Sequence, residues 1–412
     1  VSDRLGASVY FDNKDINNPN RYLYGTYSAT PSFNPWTDVK SQEKIEYNNN
    51  GYVKWYGAFT QLEYSNDNLS AFFQGAVSQQ GFQREDTFLY KTTDPLYKTD
   101  FENILGGNVK GGVNYNLNEQ HNVFVNSGYY SKQPFFNAVY PNNKSLVGEN
   151  LTNEKILGVE AGYGFRSKMF NAKLNLYYTS WKDRYQRSND ASPTNVGGYY
   201  DFTGITEIHS GVELEMNSRP LPKLSLNAMI SVGNWEYEGN STSNRYDANN
   251  NPIGGGTSTT LYLDGVKVGD AAQTTASIGA SYEVLTRVFL DANYRVSENL
   301  YASIDPSRFN SATNKGTLEL PSYGLMDAGF SYKMLVGKNN SNSLNFRLNV
   351  NNVLDEVYIS ESRTNIFADD YVSGTSGPTW ASSGQTYKGV ANKNQVFFGY
   401  GRTWNFSLRY NF

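Results

Sequence analysis

"VFFGYGRTWNFSLRYNF" closes the chain at residues 396–412, and its last ten residues alternate without a break. Counting back from the end, Phe412, Tyr410, Leu408, Phe406 and Trp404 take one parity. Asn411, Arg409, Ser407, Asn405 and Thr403 take the other. Successive side chains of a strand point to opposite faces, so this segment reads as a strand with one apolar and one wet side. Two settings produce such a strand: a half-buried soluble sheet, or a membrane barrel with lipid outside and water inside. One strand does not choose between them. The rest of the chain does.

The same alternation recurs along the sequence. Phe170, Ala172, Leu174, Leu176 and Tyr178 make one apolar face, and Leu69, Ala71, Phe73 and Val77, with Gly75 between them, make another. Val212, Leu214 and Met216 stand opposite Glu213, Glu215 and Asn217; Leu344, Phe346, Leu348 and Val350 stand opposite Asn345, Arg347, Asn349 and Asn351. Charges such as Lys173, Glu213, Glu215 and Arg347 between apolar neighbours would be costly in a dry core, whereas a polar lumen accepts them. The expectation is therefore that Leu174, Leu176, Phe346, Leu348, Phe406 and Leu408 face lipid, and that Asn175, Arg347 and Ser407 face inward. Runs of this kind predict strands at 4–13, 52–65, 68–85, 104–117, 121–134, 154–166, 169–187, 203–218, 223–238, 270–284, 287–304, 318–335, 342–361 and 395–412. They number about fourteen. Most exceed the roughly 5–6 residues usual in soluble sheets and suit tilted strands that continue above a bilayer.

The connections point the same way. Short polar turns, "SNDN" (65–68), "NLNEQ" (116–120), "RSK" (166–168), "RPLPK" (219–223), "EVLTR" (283–287) and "VGKNNSN" (336–342), alternate with longer loops at 14–51, 86–103, 135–153, 188–202, 239–269, 305–317 and 362–394. Short turns on the periplasmic side and long loops outside are the pattern of bacterial outer-membrane barrels. A sandwich has no reason to gather its long loops at one end, and no fixed repeat suggests a propeller or solenoid. The fold expected is an all-β transmembrane antiparallel barrel in the bacterial outer membrane.

Composition agrees. The 412 residues carry a formal net charge of −4 without a basic block, which argues against nucleic acid as a partner. Mean hydropathy is −0.59, and no apolar run approaches the length of a membrane helix. A barrel is not excluded, because alternation dilutes hydrophobicity. Cysteine is absent, removing disulfide scaffolds and thiolate metal sites. Tyrosine, at 33 residues, outnumbers the 23 phenylalanines and 6 tryptophans, a bias that fits membrane interfaces and ligand-contact loops. The first residues contain no initiator Met and no signal-like region, so Val1 is expected to lie downstream of the start of the gene product.

Several stretches resemble the barrel of TonB-dependent receptors, the active outer-membrane importers. "LNVNNVLDEVY" (348–358), with Asn352, Asp355 and Tyr358, is similar to their penultimate-strand motif. "LPSYGLMDAGFSY" (320–332), with Pro321, Tyr323 and Asp327, is similar to the strand before it. "NLTNEKILGVEAGYGF" (150–165), "LNLYYTSWKDRY" (174–185) and "GITEIHSGVELEMNSRPL" (204–221) resemble earlier hairpins. "GAFTQLEYSNDNLSAFFQGAVS" (57–78), "FVNSGYYSKQPFFNAVY" (124–140) and "LYLDGVKVGDAAQTT" (261–275) look like receptors of Bacteroidota. The terminal aromatic strand ending in Phe412 resembles the signal read by the machinery that inserts such barrels. The resemblance implies a plug domain, a TonB-contacting segment and a barrel of about 22 strands. No plug-like sequence is present, so residues 1–412 are expected to be the C-terminal portion of the barrel, with strand 4–13 not paired to strand 395–412. The resemblance also implies partners: outer-membrane lipid, the TonB complex through the plug region, an external solute (glycan, peptide or metal chelate) and a surface lipoprotein lid.

No catalytic set stands out. His121 lies beside a short turn and His209 faces inward on another strand; neither belongs to a metalloprotease or nucleophile-elbow spacing, and no phosphate loop is present. The chain is read as neither an enzyme nor a cofactor or metal carrier. Ligand-contact candidates lie in the long loops: Tyr22, Tyr24, Tyr27 and Trp36 in 14–51; Tyr246 and Asp247 in 239–269; Asp369, Asp370, Tyr371 and Trp380 in 362–394. Aromatic faces beside carboxylates and amides suit sugar or peptide capture; the rival reading is that these aromatics pack loop on loop. "DANNNPIG" (247–254) spaces oxygen ligands but lacks a bidentate acid at its far end, a poor match to a calcium loop. Two functional rivals to active import remain at this stage: a closed fourteen-stranded passive channel, and a receptor-like scaffold within a larger membrane complex.

Overall fold

A computed structural model describes residues 49–412, apart from 88, 149–150, 191, 193, 255–257 and 305–307, together with two strands nearer the start. Those two, β1 (Ser8–Lys14) and β2 (Tyr22–Ser28), pair antiparallel with each other in their own sheet. The main sheet contains β3 (Asn49–Ser65), β4 (Leu69–Asp86), β5 (Glu102–Asn116), β6 (His121–Lys132), β7 (Glu154–Arg166), β8 (Phe170–Asn189), β9 (Tyr199–Leu221) and β10 (Leu224–Tyr237). After two short strands, β11 (Ser241–Tyr246) and β12 (Thr259–Leu261), it continues through β13 (Ala272–Leu285), β14 (Val288–Tyr301), the short β15 (Glu319–Leu320), β16 (Tyr323–Val336) and β17 (Asn342–Asn351). Four short strands in two antiparallel pairs, β18 (Ile359–Ser362) with β21 (Val396–Phe398) and β19 (Thr386–Tyr387) with β20 (Val390–Ala391), precede the last strand, β22 (Thr403–Asn411). The sheet has 16 strands, of which β11, β12 and β15 lie off an otherwise unbroken meander from β3 to β22. No helix among the described residues is long and apolar enough to cross a membrane.

The short turns fall where the sequence places them, and among the described residues the long loops between β4 and β22 lie at the opposite end. Five expectations need correction. The strand expected at 4–13 is β1, which pairs with β2; among the described residues no ladder joins it to β22. The run 342–361 divides at Asn352 and Asp355, which take φ of 50° and 57° and turn the chain out of the sheet. The run 395–412 divides at the glycine-containing stretch 399–402, and 318–335 divides at Pro321, which has no N–H for a ladder. The loop expected at 14–51 contains β2, so Tyr22, Tyr24 and Tyr27 are strand residues. Trp36 lies outside the described residues.

Facing follows parity. On β17 and β22, Phe346 opposes Leu408, Leu348 opposes Phe406 and Leu344 opposes Tyr410, while Arg347 opposes Ser407 on the other face. Leu174, Leu176 and Tyr178 of β8 oppose Leu214, Val212 and Ser210 of β9, with Asn175 opposite Glu213 between them. The inward charges are matched across strands. Arg347 reaches over β16 to form a two-point ion pair with Asp291 of β14, its second nitrogen at 2.8 Å, and its Nε donates to Asn349 at 2.6 Å. Gly329 makes that crossing possible, since a Cβ there would sit 2.3 Å from the guanidinium. Asn175 likewise donates to Glu213 at 3.2 Å.

Within the wall neither face forms a dry core. The buried apolar residues lie at the long-loop end, in four clusters. The largest joins Phe202, Ile205 and Tyr237 at the tops of β9 and β10 to Leu261, Leu263, Val266, Val268 and the fully buried Phe309. A second packs Leu300, Ala302, Leu318 and Leu320 on Ile359 and Val390.

Candidate functional site

The passage from wall to loops is built by the motif residues. Asp327 of β16 accepts the backbone N–H of Asn352 at 2.8 Å and binds Arg295 of β14 at 2.6 Å. The Asn352 amide then clamps the turn from both sides, accepting from the Glu356 N–H and donating to the Glu356 carbonyl, each at 2.9 Å. Asp355 accepts the Arg402 N–H at 2.8 Å and so holds the returning chain. The Tyr358 ring lies 4.3 Å from Tyr323 and fills the space beside Gly399, where a Cβ would approach it to 1.9 Å. Pro321 is half-buried beside this junction and Phe412 stands free at the far end. These residues shape the mouth of the wall; they are not a binding set.

On the inward face, just below the loops, lies a group that the sequence reading did not single out. Glu207 of β9 is fully buried and meets the Arg184 guanidinium, with His209 at 3.1 Å. His209 stacks on Trp235 at 5.1 Å, and the Trp235 indole N–H donates to the Tyr177 hydroxyl at 2.9 Å. The register of β9 with β10, continuous from Leu226 to Tyr237, puts Glu207, His209, Trp235 and Tyr237 on the face of Glu213 and Glu215. That parity was legible; the burial of Glu207 was not, because it depends on loops distant in sequence. His121 is remote from this group, at a short turn against Tyr163 and Phe165.

Above the wall the loops form two interlocked groups. In one, Asp190 accepts from Asn195 and from Arg245, both at 2.7 Å, and Asn142 binds Arg187 at 2.6 Å and the Ala248 carbonyl at 2.8 Å. Burial pushes the Asp190 carboxyl up, but the hydrogen bonds from Asn195 and Arg245 outweigh it and hold the pKa below the usual carboxylate value. Tyr246 stacks on Tyr199 at 5.1 Å. Asp247 spends its oxygens on the N–H groups of Asn249 and Asn251, at 2.8 Å each, and on the Asn251 amide. It caps a turn, which is how this oxygen-rich stretch uses its ligands.

In the other group, Lys315 bridges Asp369 at 2.7 Å and Asp370 at 2.9 Å, and Arg308 binds Asp370 at 3.0 Å. Burial raises the Asp370 carboxyl, but Lys315, the Phe367 N–H and Arg308 together keep it below its ordinary value. Tyr371 is exposed, while Trp380 is only 8% exposed and packs on Ile366, Ala391 and Val372. Trp380 therefore holds its loop together. An open cavity of about 520 Å³ lies between the two loops that follow β10 and β14, lined by Tyr262, Asp264, Lys267, Asn314 and Lys315 among others. Both lysines are neutralised, Lys267 by Glu236 at 2.7 Å. The cavity thus offers hydrogen bonds and a ring face without a strong net charge. No cluster of metal-binding side chains occurs among the described residues.

Beneath the first loop group is a buried ionisable residue with one carboxylate oxygen left without a hydrogen bond among the described residues. Asp201 at the top of β9 is 9% exposed, and its Oδ1 finds no hydrogen bond. It lines a cavity of about 20 Å³ with Tyr185, Arg184, Leu151 and Pro134. Burial raises its pKa to about 7 despite the pull of Arg187.

A meander of long antiparallel strands, apolar outside and polar inside, with short turns at one end and packed loops at the other, is the wall of an outer-membrane β-barrel. The family described as "TonB dependent receptor-like, beta-barrel" matches residues 3–353, and the chain belongs to it. Members of that family are outer-membrane proteins of Gram-negative bacteria that import siderophores, metals and other solutes. Among solved structures, the siderophore receptor PiuA from Acinetobacter baumannii is similar with a TM-score of 0.59 and 14% identity, over 97% of this chain and 50% of that one. The copper transporter OprC follows at 0.57 and 12%, over 96% and 50%, and the unliganded ferric citrate transporter FecA at 0.57 and 14%, over 90% and 47%. At these identities the likeness is one of fold, and the chain spans about half the length of each relative. No curated protein matches it in sequence.

Proposed function

We propose that this chain is the wall and loop crown of an active importer, taking an external solute at the loops and passing it inward with energy supplied through TonB. The observation that carries the reading is the division of labour along the strands: a polar inward face of matched charges, topped by a crown whose loops border an open hydrogen-bonding cavity. The neutralised lysines and the Tyr262 ring favour a hydroxyl- or amide-rich solute, a glycan or peptide, over a bare anion; a metal chelate presenting such groups fits the same lining. The exposed groups Asp369 and Tyr371 are the loop candidates left open to a solute. The described wall ends in two edges, β3 and β22. Unpaired strand edges are costly in lipid, which supports its being part of a larger barrel that also holds a plug and the contact to TonB. A Bacteroidota-type receptor with a lipoprotein lid is the finer reading we attach to it, on the motifs quoted above.

Uptake tests this. In cells expressing the whole protein, solute accumulation should collapse when the proton gradient is discharged or TonB removed, while surface binding persists. Accumulation that continues unchanged without energy would instead establish a passive channel.

A further inference from the structure

Three aromatic side chains climb the inner face of the wall on alternate strands. Phe124 is the fourth residue of β6, Tyr177 the eighth of β8 and Trp235 the twelfth of β10, each counted from the short-turn end. Register spaces them evenly. Phe124 opposes Gly162, which opposes the inward Asn175, and Tyr177 lies two residues further up β8. Tyr177 opposes Gly211, which opposes Gly233, and Trp235 lies two residues further up β10. With strands about 4.8 Å apart and a rise of about 3.4 Å per residue, each step is about 12 Å.

A glycine lies under each ring. A Cβ at Gly162 would collide with Phe124, one at Gly211 with Tyr177 and one at Gly233 with Trp235. Each ring therefore leans across the wall instead of standing off it, and each is only half-buried, leaving part of its surface to the lumen. The upper two are joined, the Trp235 indole donating to the Tyr177 hydroxyl at 2.9 Å. Above them the track meets the crown: the N–H of Tyr237, two residues beyond Trp235, donates to the carbonyl of Val266, a residue that lines the crown cavity.

Covering a glycine is also how a barrel fills its own surface, and Tyr294 lies over Gly324 in that way on the lipid-facing side. The inner rings differ in their surroundings. Glu160 of β7 is the register partner of both Asn126 and Tyr177, and Glu213 of β9 that of both Asn175 and Ser231. Both carboxylates are exposed, and Glu160 has no ion-pair partner among the described residues. None of these register partners is a lysine or arginine. An aromatic face takes the C–H side of a sugar ring, while carboxylates and amides beside it bind the hydroxyls. The same carboxylates repel an acidic solute.

We propose that Phe124, Tyr177 and Trp235 form an inner-wall track for a neutral oligosaccharide, which stacks on the rings while Glu160 and Glu213 bind its hydroxyls between them. The track rests on the import reading for its direction: it receives the chain from the crown cavity and leads it towards the short-turn end. A disaccharide reaches one ring, whereas a chain of several sugars spans two or three.

The test is calorimetric titration of the whole protein in detergent with the neutral disaccharides and hexasaccharides of α-glucan, β-glucan, mannan and xylan. At least one hexasaccharide should bind about twentyfold more tightly than its own disaccharide, from two further stacked rings at about fivefold each. Phe124→Leu, Tyr177→Leu and Trp235→Leu should each remove about fivefold of the hexasaccharide affinity. Tyr177→Phe, which keeps the ring and loses only the bond to Trp235, should retain it, and Tyr294→Leu should change nothing. Three results would overturn the proposal: no hexasaccharide outbinding its disaccharide, unchanged affinity in all three inner-ring Leu variants (rings that only seat a plug), or an equal loss in Tyr294→Leu. Binding here is measured at equilibrium and import by the energy dependence of uptake, so failure of the track leaves the import reading standing.

Discussion

The wall and the crown solve opposite solvation problems with one chain. In the wall, Leu176, Phe406 and Leu408 are about half exposed on one face, while Asn175 and Arg347 stand on the other. Its cohesion comes from ladder hydrogen bonds with no competing water and from the partition of the outward stripe into lipid. The crown behaves as a soluble domain: Phe309, Leu261, Leu263 and Val266 are buried in clusters, and buried charges such as Asp190 are paired. Apolar surface is the exterior of one region and the interior of the other. The same substitution should therefore have opposite consequences in the two.

The largest effect is expected in the crown. Phe309→Ala empties the centre of the main cluster, and deletion of a buried Phe costs about 3–5 kcal/mol. Hydrogen exchange should accelerate in residues 259–268 and 308–318, while β13 and β14 within the membrane keep their protection. Loss of protection throughout the sheet would show that crown and wall are not separate stability units.

Next is Leu176→Arg, which puts a guanidinium at the lipid-facing midplane and should cost about 2–4 kcal/mol; Asn175→Arg, one residue along, should cost far less. Urea unfolding in lipid vesicles gives both values, and equal costs would erase the distinction between the faces.

The smallest effect concerns the seam between the regions. The Asp201 carboxyl has its pKa raised from 3.8 to about 7, so it favours the folded crown when protonated. That contribution is complete below about pH 4, is lost as pH rises through 7, and changes little beyond. Exchange in residues 134–148 and 151–152, which cover Asp201, should accelerate about a hundredfold between pH 5 and pH 8 beyond the intrinsic chemical rate. Asp201→Asn should flatten that dependence. A variant with the wild-type pH profile would assign the effect to another group.

The wall was legible because its rule is local. Period-2 alternation placed Glu213, Glu215 and Arg347 inward, and the order of short and long connections gave the topology. The splits at Asn352 and Pro321 escaped because a strand-like run continues across them; the turn depends on Asp327 reaching the Asn352 N–H from another strand. The crown was legible only in outline. Asp369 and Asp370 were singled out together, and the structure joins them through Lys315. Trp380 and Asp247 carry the same residue-type signal as a ligand contact, yet one packs its loop and the other caps a turn, outcomes set by partners far away or by backbone geometry. Glu207 and Asp201 were missed for the same reason: burial at a loop seam has no local pattern.

The central claim is the two-faced wall, and the absence of cysteine makes it directly testable. Single cysteines at Phe346, Arg347, Leu348 and Asn349 in β17 can be exposed, in intact outer membranes, to a membrane-impermeant thiol reagent. The account predicts labelling of Arg347→Cys and Asn349→Cys and protection of Phe346→Cys and Leu348→Cys. Uniform labelling along the strand, or labelling of the even positions alone, would contradict it.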